Sequence, residues 1–356
     1  MSAPRRSVAQ RISDVHRLLR AAQAVYTDRN LVADDIASAT GLSREGVELG
    51  FASLERDARE ADLASLVNAA GDASHVHVVL SANVFVGPLR ALALARAASP
   101  RVTVRPSSRD PVLSRALVEA ARDDSIALVE QRDVAAIDAG EIHVYGTSDT
   151  IAKVRARARV IVRGHGPGMG IAVVTATART ESAAASVASD VVPFDQRGCI
   201  SPRVVFVEGN AERAFAFAVA LHEALLEWSE RAPRGALSIA ERSEAAQWAD
   251  AAAFAGRVLR GESHAVAIAE DRSVPLPGPA GRHVFVVASP TIEDAFARAA
   301  IFAPFVVAVG SDDPVRIASF APAHARKSFL GRMQHPPLDG PVDRRDDRFS
   351  SRFCPE

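Results

Sequence analysis

Cysteine is almost absent from this 356-residue chain: Cys199 and Cys354 are the only two. A pair so far apart makes no disulfide framework, which excludes the stapled secreted scaffolds and fits a reducing, cytoplasmic setting. An excess of either charge is lacking too. The formal net charge is −1, so no global field draws the chain toward nucleic acid or an anionic membrane. No run approaches the ~18 uninterrupted apolar residues of a membrane span, and residues 1–10 carry Arg5 and Arg6 without the apolar core of a signal peptide. The dinucleotide fingerprint G-x-G-x-x-G is missing. Gly164-His165-Gly166-Pro167-Gly168-Met169-Gly170 has glycine at every second position and a proline inside, the wrong spacing for that phosphate loop.

What is present is an ordinary soluble composition, 48% hydrophobic and 24% charged, with length enough for two domains. Apolar residues Ile12, Val15, Leu18, Leu19 and Ala22 recur at helical spacing over residues 11–26, and a second helix is expected over 43–60 with Ser43 as its N-cap. Residues 35–47 have the outline of a helix-turn-helix, but the second helix opens Ser-Arg-Glu without a basic face, so DNA binding is rejected. From residue 75 the texture becomes alternating. Strands are expected over 75–80, 101–104, 126–129, 141–145 and 160–163, with helices over 87–98, 111–122 and 148–157. Strands separated by helices of about ten residues specify a parallel α/β sheet, whose ligands bind beyond the carboxyl ends of the strands. Further strands over 171–175, 204–208, 264–269, 283–288 and 305–309, with helices over 211–231, 243–260 and 292–300, make a second α/β domain. The expected organisation is a helical lead-in (1–70), a cofactor domain (71–166), a catalytic domain (167–320) and a returning tail (321–356).

Three post-strand loops carry donors. Asn83 lies on a strand-to-helix turn, where its amide can serve an oxyanion or simply begin a helix. Arg105, Pro106, Ser107 and Ser108 follow a strand, with a guanidinium suited to a phosphate or to solvent. Gly146, Thr147 and Ser148 open a helix, which offers free N–H groups to a pyrophosphate as well as an ordinary cap.

Cys199 sits in Asp195-Gln196-Arg197-Gly198-Cys199-Ile200-Ser201-Pro202, ahead of the β-rich run 204–207. Most lone cysteines are small core hydrophobes. Here the polar and turn-forming neighbours argue for an approachable sulfur, and a thiolate is a strong nucleophile toward thioester and carbonyl carbon. The segment resembles the nucleophile loop of the aldehyde dehydrogenase superfamily, closest to the acyl-CoA reductase branch typified by the fatty-acid reductase of bacterial luminescence. A second match is Gly331-Arg332-Met333-Gln334-His335-Pro336-Pro337-Leu338, where that branch has a similar Gly-x-Met-Gln-x-Pro-Pro-Leu run. A Trp often follows the Asp there; Gly340 stands in its place and alters a wall of the site.

The resemblance implies a two-domain aldehyde-dehydrogenase-like α/β fold, with the active site between two mainly parallel sheets. It implies an NADPH-dependent reduction of an acyl thioester, such as a fatty acyl-CoA, to an aldehyde through a thioacyl-enzyme on Cys199. NADH remains possible as donor, CoA is the leaving group, and Asn83 and the Cys199 N–H share the oxyanion. His165, 34 residues before Cys199, stands where the superfamily places a water-activating Glu. That departure speaks against hydrolytic release, and an imidazole there is either an acid–base group or a plain loop histidine. An acyl carrier or an acyl-transferring enzyme as partner and a homo-oligomer follow from the same resemblance. Two alternatives stand beside it: an aldehyde-oxidising dehydrogenase, and a non-catalytic homologue that binds an acyl-transfer partner.

Overall fold

The computed structural model describes residues 6–131, 133–269 and 274–345. Cys354 and most of the charged tail expected from residue 343 onward lie outside them. The chain divides into two compact units. One comprises Met1–Thr40, Gly50–Pro167 and Pro337–Glu356; the other comprises Gly41–Leu49 and Gly168–Pro336.

The first unit begins with helices α1 (Val8–Thr27), α2 (Ala33–Thr40) and α4 (Glu60–Ala70); α3 (Arg44–Ala52) precedes α4. Its sheet contains β1 (Val76–Val79), β2 (Val102–Arg105), β3 (Ile126–Leu128), β4 (Glu141–Tyr145) and β5 (Ile161–His165), all parallel in the order β3-β2-β1-β4-β5. Helices α5 (Gly87–Ala98), α6 (Val112–Ala121) and α7 (Ser148–Arg157) connect the strands. Nearly every side chain of α5 is buried, since α1 and α4 pack on it. The carbonyl end of α5 receives two guanidinium groups: Arg6 donates to Arg96 O at 2.9 Å and Arg11 donates to Ala97 O. Cations there complement the negative end of the helix dipole.

The second unit holds a seven-stranded sheet in the order β12-β11-β6-β7-β10-β9-β8. Its strands are β6 (Met169–Val174), β7 (Pro202–Glu208), β8 (Gly256–Arg260), β9 (Ala265–Ala269), β10 (His283–Ser289), β11 (Val306–Ser311) and β12 (Arg326–Phe329). Helices α8 (Thr180–Val191), α9 (Ala211–Arg231), α10 (Ile239–Ala255) and α11 (Ile292–Ala299) cover it. One face is closed by Ala184, Val187, Phe217 and Leu221 against Val205 and Val286, the other by Trp248 and Ala252 against Phe206 and Phe285. Burying such aliphatic and aromatic side chains gives roughly 1.5–3 kcal/mol each, the term that holds both layers to the sheet.

The expected α/β architecture of two parallel-rich sheets is present. Three local expectations are corrected. The helix expected over 43–60 ends at Ala52, and a separate α4 begins at Glu60. The helix expected over 243–260 ends at Ala255, because Gly256 is extended (φ 173°) and Gly256–Arg260 pairs antiparallel with β9. Finally, α8 and β12 lie where no element was expected. Among the described residues no helix is long and apolar enough to cross a membrane.

Candidate active site

In the second unit, the Cys199 turn is built by an unusual piece of backbone. After α8 the chain enters a 3-10 turn, Pro193–Gln196, in which Phe194, Asp195 and Gln196 all have positive φ (57°, 49° and 63°). Each left-handed non-glycine residue costs roughly 1–2 kcal/mol, so neighbours must over-determine the turn. They do. Asp195 Oδ1 accepts from Arg282 Nε at 3.1 Å and Nη2 at 2.8 Å, Oδ2 accepts from Gly235 N at 2.9 Å, and the carbonyl accepts from Gly281 N at 2.9 Å. Gln196 Nε2 donates to Pro202 O and His283 O, each at 2.8 Å, and its Oε1 accepts from His283 N at 2.7 Å. All four polar side-chain atoms of the Asp-Gln pair are thereby satisfied inside the protein. Their task is support of the turn, which the sequence alone did not disclose.

Cys199 follows as a half-buried thiol that is in no disulfide among the described residues. Ser201 N donates to Gly198 O at 3.2 Å, which closes a turn with Cys199 inside it. Arg203, at the start of β7, donates to Gly278 O at 2.7 Å. Burial lowers the pKa of its guanidinium, while the negative charges of Glu244 and of the Cys199 thiolate raise it.

In the first unit, the remaining candidate residues meet along one edge. The sheet is parallel, so every carboxyl end points the same way, and β2, β1, β4 and β5 are consecutive neighbours. Asn83 is exposed on the loop after β1, and Arg105 is the exposed last residue of β2, with Pro106, Ser107 and Ser108 next. Gly146 follows β4, and Thr147 caps α7 by accepting from Thr150 N at 3.2 Å, with Ser148 in the first turn. His165 ends β5.

The surroundings of His165 are specific. Its ring stacks on Tyr145 with centroids 4.4 Å apart and planes at 10°, and meets His143 edge-on at 6.3 Å. Burial, helped by His143, pushes the His165 pKa down to about 4, so it is neutral at pH 7. Burial alone would raise Glu141, but hydrogen bonds from His143 and Arg163 bring it down to about 2. The Tyr145 hydroxyl has no hydrogen-bond partner among the described residues, and burial raises its pKa. A cavity of about 460 Å³ opens beside this group, lined by Arg163 and His165 together with Asp339, Asp343 and Arg345 of the returning tail. Among the described residues no cluster of three metal-ligating side chains occurs.

A sequence profile described as acyl-CoA reductase (LuxC) matches residues 46–311. A search of curated proteins finds no match. Solved structures similar to this one are aldehyde-dehydrogenase-like. They include an oxidoreductase from Marinobacter aquaeolei (TM-score 0.70, 13% identity, covering 95% of this chain and 80% of that one). An NAD-dependent benzaldehyde dehydrogenase from Corynebacterium glutamicum has TM-score 0.67 and 17% identity, covering 96% and 83%. An NAD-dependent aldehyde dehydrogenase from Sinorhizobium meliloti has TM-score 0.66 and 17% identity, covering 92% and 75%. At such identities the likeness is one of fold.

Proposed function

The chain belongs to the acyl-CoA reductase (LuxC) family, and from that premise we propose that it reduces an acyl thioester to an aldehyde through Cys199. The coarser reading, an oxidoreductase acting on aldehyde or acyl groups, follows from the family and the fold. The observation that carries the finer one is the Cys199 turn: a half-buried thiol three residues after a strained segment, Phe194–Gln196, that buried partners hold in place.

The Cys199 thiolate attacks the acyl carbon, a sulfur–carbon bond forms, and the CoA thiolate leaves. Asn83 Nδ2 and the Cys199 N–H stabilise the oxyanion of the tetrahedral intermediate. A nicotinamide cofactor supplies hydride to the acyl carbon when bound. The resulting thiohemiacetal collapses to the aldehyde and returns the Cys199 thiolate. The residues of the first sheet fit such a cofactor: the start of α7 offers N–H groups at Thr147 and Ser148 for a pyrophosphate, the Gly146 N–H being taken by His165 O at 3.2 Å, and the exposed Arg105 guanidinium suits the extra phosphate of NADPH. His165, neutral at pH 7 with its pKa lowered by burial, is a weak base there and carries no imidazolium proton to give. With an imidazole in the place of the superfamily's water-activating Glu, release by hydride is favoured over release by water.

Intact-protein mass spectrometry with a panel of acyl-CoAs and no nucleotide tests this. An adduct of acyl mass on Cys199, discharged as aldehyde by NADPH, is the expected result. Absence of an adduct from CoA and carrier-protein donors alike would point to a non-catalytic homologue.

A further inference from the structure

We infer that Asp190 and Gln334 are positioning residues for the Cys199 turn, tying its two ends together through the segment that follows β12. The inference rests on the reading of Cys199 as the nucleophile.

Asp190 is the second-last residue of α8 and is fully buried. Its Oδ2 accepts from Gly331 N at 2.6 Å and its Oδ1 from Met333 N at 2.8 Å. Its main-chain carbonyl accepts from Gln334 Nε2, also at 2.8 Å. The same Nε2 lies 3.2 Å from Ser201 Oγ. Ser201 is itself buried and closes the turn on Gly198. One side-chain amide thus joins a residue nine places before Cys199 to a residue two places after it.

Met333 completes the clamp from the sheet side. A Cβ on Gly310 of β11 would fall 2.5 Å from Met333 Sδ. A Cβ on Gly170 of β6 would fall 2.8 Å from Met333 Cε and 2.3 Å from Ile200 O. At Gly170 the obstacle is backbone, so β6 needs glycine there for residue 200 to lie directly on the sheet; at Gly310 a Cβ would instead displace the Met333 side chain.

This arrangement matters for acyl transfer in particular. An oxyanion donor works only when aimed at the developing charge within about 2.7–3.1 Å. The aim of the Cys199 N–H depends on the relation between residues 198 and 201, which is what Ser201 and Gln334 fix. The Gly-x-Met-Gln run is thus a support of the nucleophile turn.

Two reactions of the same sulfur separate this role from general stability. Acylation by an acyl-CoA passes through an oxyanion; alkylation by iodoacetamide, in which the thiolate displaces iodide, does not. Gln334→Met and Asp190→Asn keep side-chain volume and remove one amide donor or one carboxylate. Each is expected to slow acylation of Cys199 about ten-fold or more, with the alkylation rate within two-fold of wild type. Ser201→Ala deletes a single oxygen and is the mildest arm, so it remains informative if the others fold poorly. It is expected to slow acylation about three-fold and to add nothing to Gln334→Met. Unchanged acylation in all three overturns the proposal, as does a parallel fall of both reactions. A wild-type enzyme that alkylates at Cys199 but never acylates there overturns the underlying nucleophile assignment, and needs no variant to be recognised.

Discussion

Asp195 and Arg282 form an ion pair almost sealed from solvent, with Nη2 2.8 Å from Oδ1 and the two side chains 2% and 1% exposed. The pair sits at the middle of three consecutive left-handed residues, four places before the candidate nucleophile. Removing one partner of such a pair leaves a buried charge uncompensated, at a cost of about 3–5 kcal/mol. Asp195→Asn should lower the unfolding free energy by that order in a urea titration. Replacing both partners, as in Asp195→Asn with Arg282→Met, should recover part of the loss. A double variant less stable than the single would show that the charge was not the cause.

Asn83 stands exposed on the loop after β1, with no structural burden assigned to it. Asn83→Ala should lower kcat for acyl-CoA reduction by about two to three orders of magnitude, the loss typical of one oxyanion donor. Thermal stability should change little. A kcat within a few-fold of wild type would remove Asn83 from the mechanism.

Arg105 is likewise exposed at the end of β2. If its fork grips a phosphate, Arg105→Ala should raise KM for NADPH about ten-fold and leave KM for NADH nearly unchanged. Equal effects on the two cofactors would assign the guanidinium to another part of the dinucleotide.

Asp190 carries a pH signature. Burial raises its pKa to about 7, against the hydrogen bonds of Gly331, Met333 and Gln334 and the charge of Arg332. A folded-state value above the unfolded one means that its contribution is fully present below about pH 4 and is lost as pH rises through 7. His165 runs the other way: its folded pKa of about 4 favours the fold above pH 6.5 and less so as pH falls toward 4. The His165 contribution is common to wild type and Asp190→Asn, so it cancels in their difference. The variant should gain stability relative to wild type steadily from pH 4.5 to 7 and level off above about 8. A difference flat with pH would mean that Asp190 does not titrate in this range.

The sequence made most of the fold legible where helix ends carry their own chemistry. Ser43 before α3 and Thr147 before α7 each accept a backbone N–H of the first turn, and α7 runs over the residues expected. It failed where tertiary partners decide. In α8 the buried face is mostly small, Ala183, Ala184, Val187 and Ala188, so its period is faint. Residues 256–260 continue a helical pattern but are drawn into the sheet edge by β9. The candidate site divides in the same way. Cys199 stood out through its own Gly, Ser and Pro neighbours, whereas the partners of Asp195 and Gln196 at Gly235, Gly281, Arg282 and His283 lie 40 to 87 residues away.

The clamp on the Cys199 turn has a consequence in time. A ribosome makes this chain from its first residue to its last, at about 5–20 residues per second. Residues 199 and 201 emerge well over a hundred residues before Gln334, a lag on the order of ten seconds at that pace. Through that interval Asp190 and Ser201 await their partner, so the nascent chain carries its thiol on an unfinished turn. The proposed support of the turn can therefore form only after residue 334 has emerged, by which time β6, β7, β10 and β11 are already made.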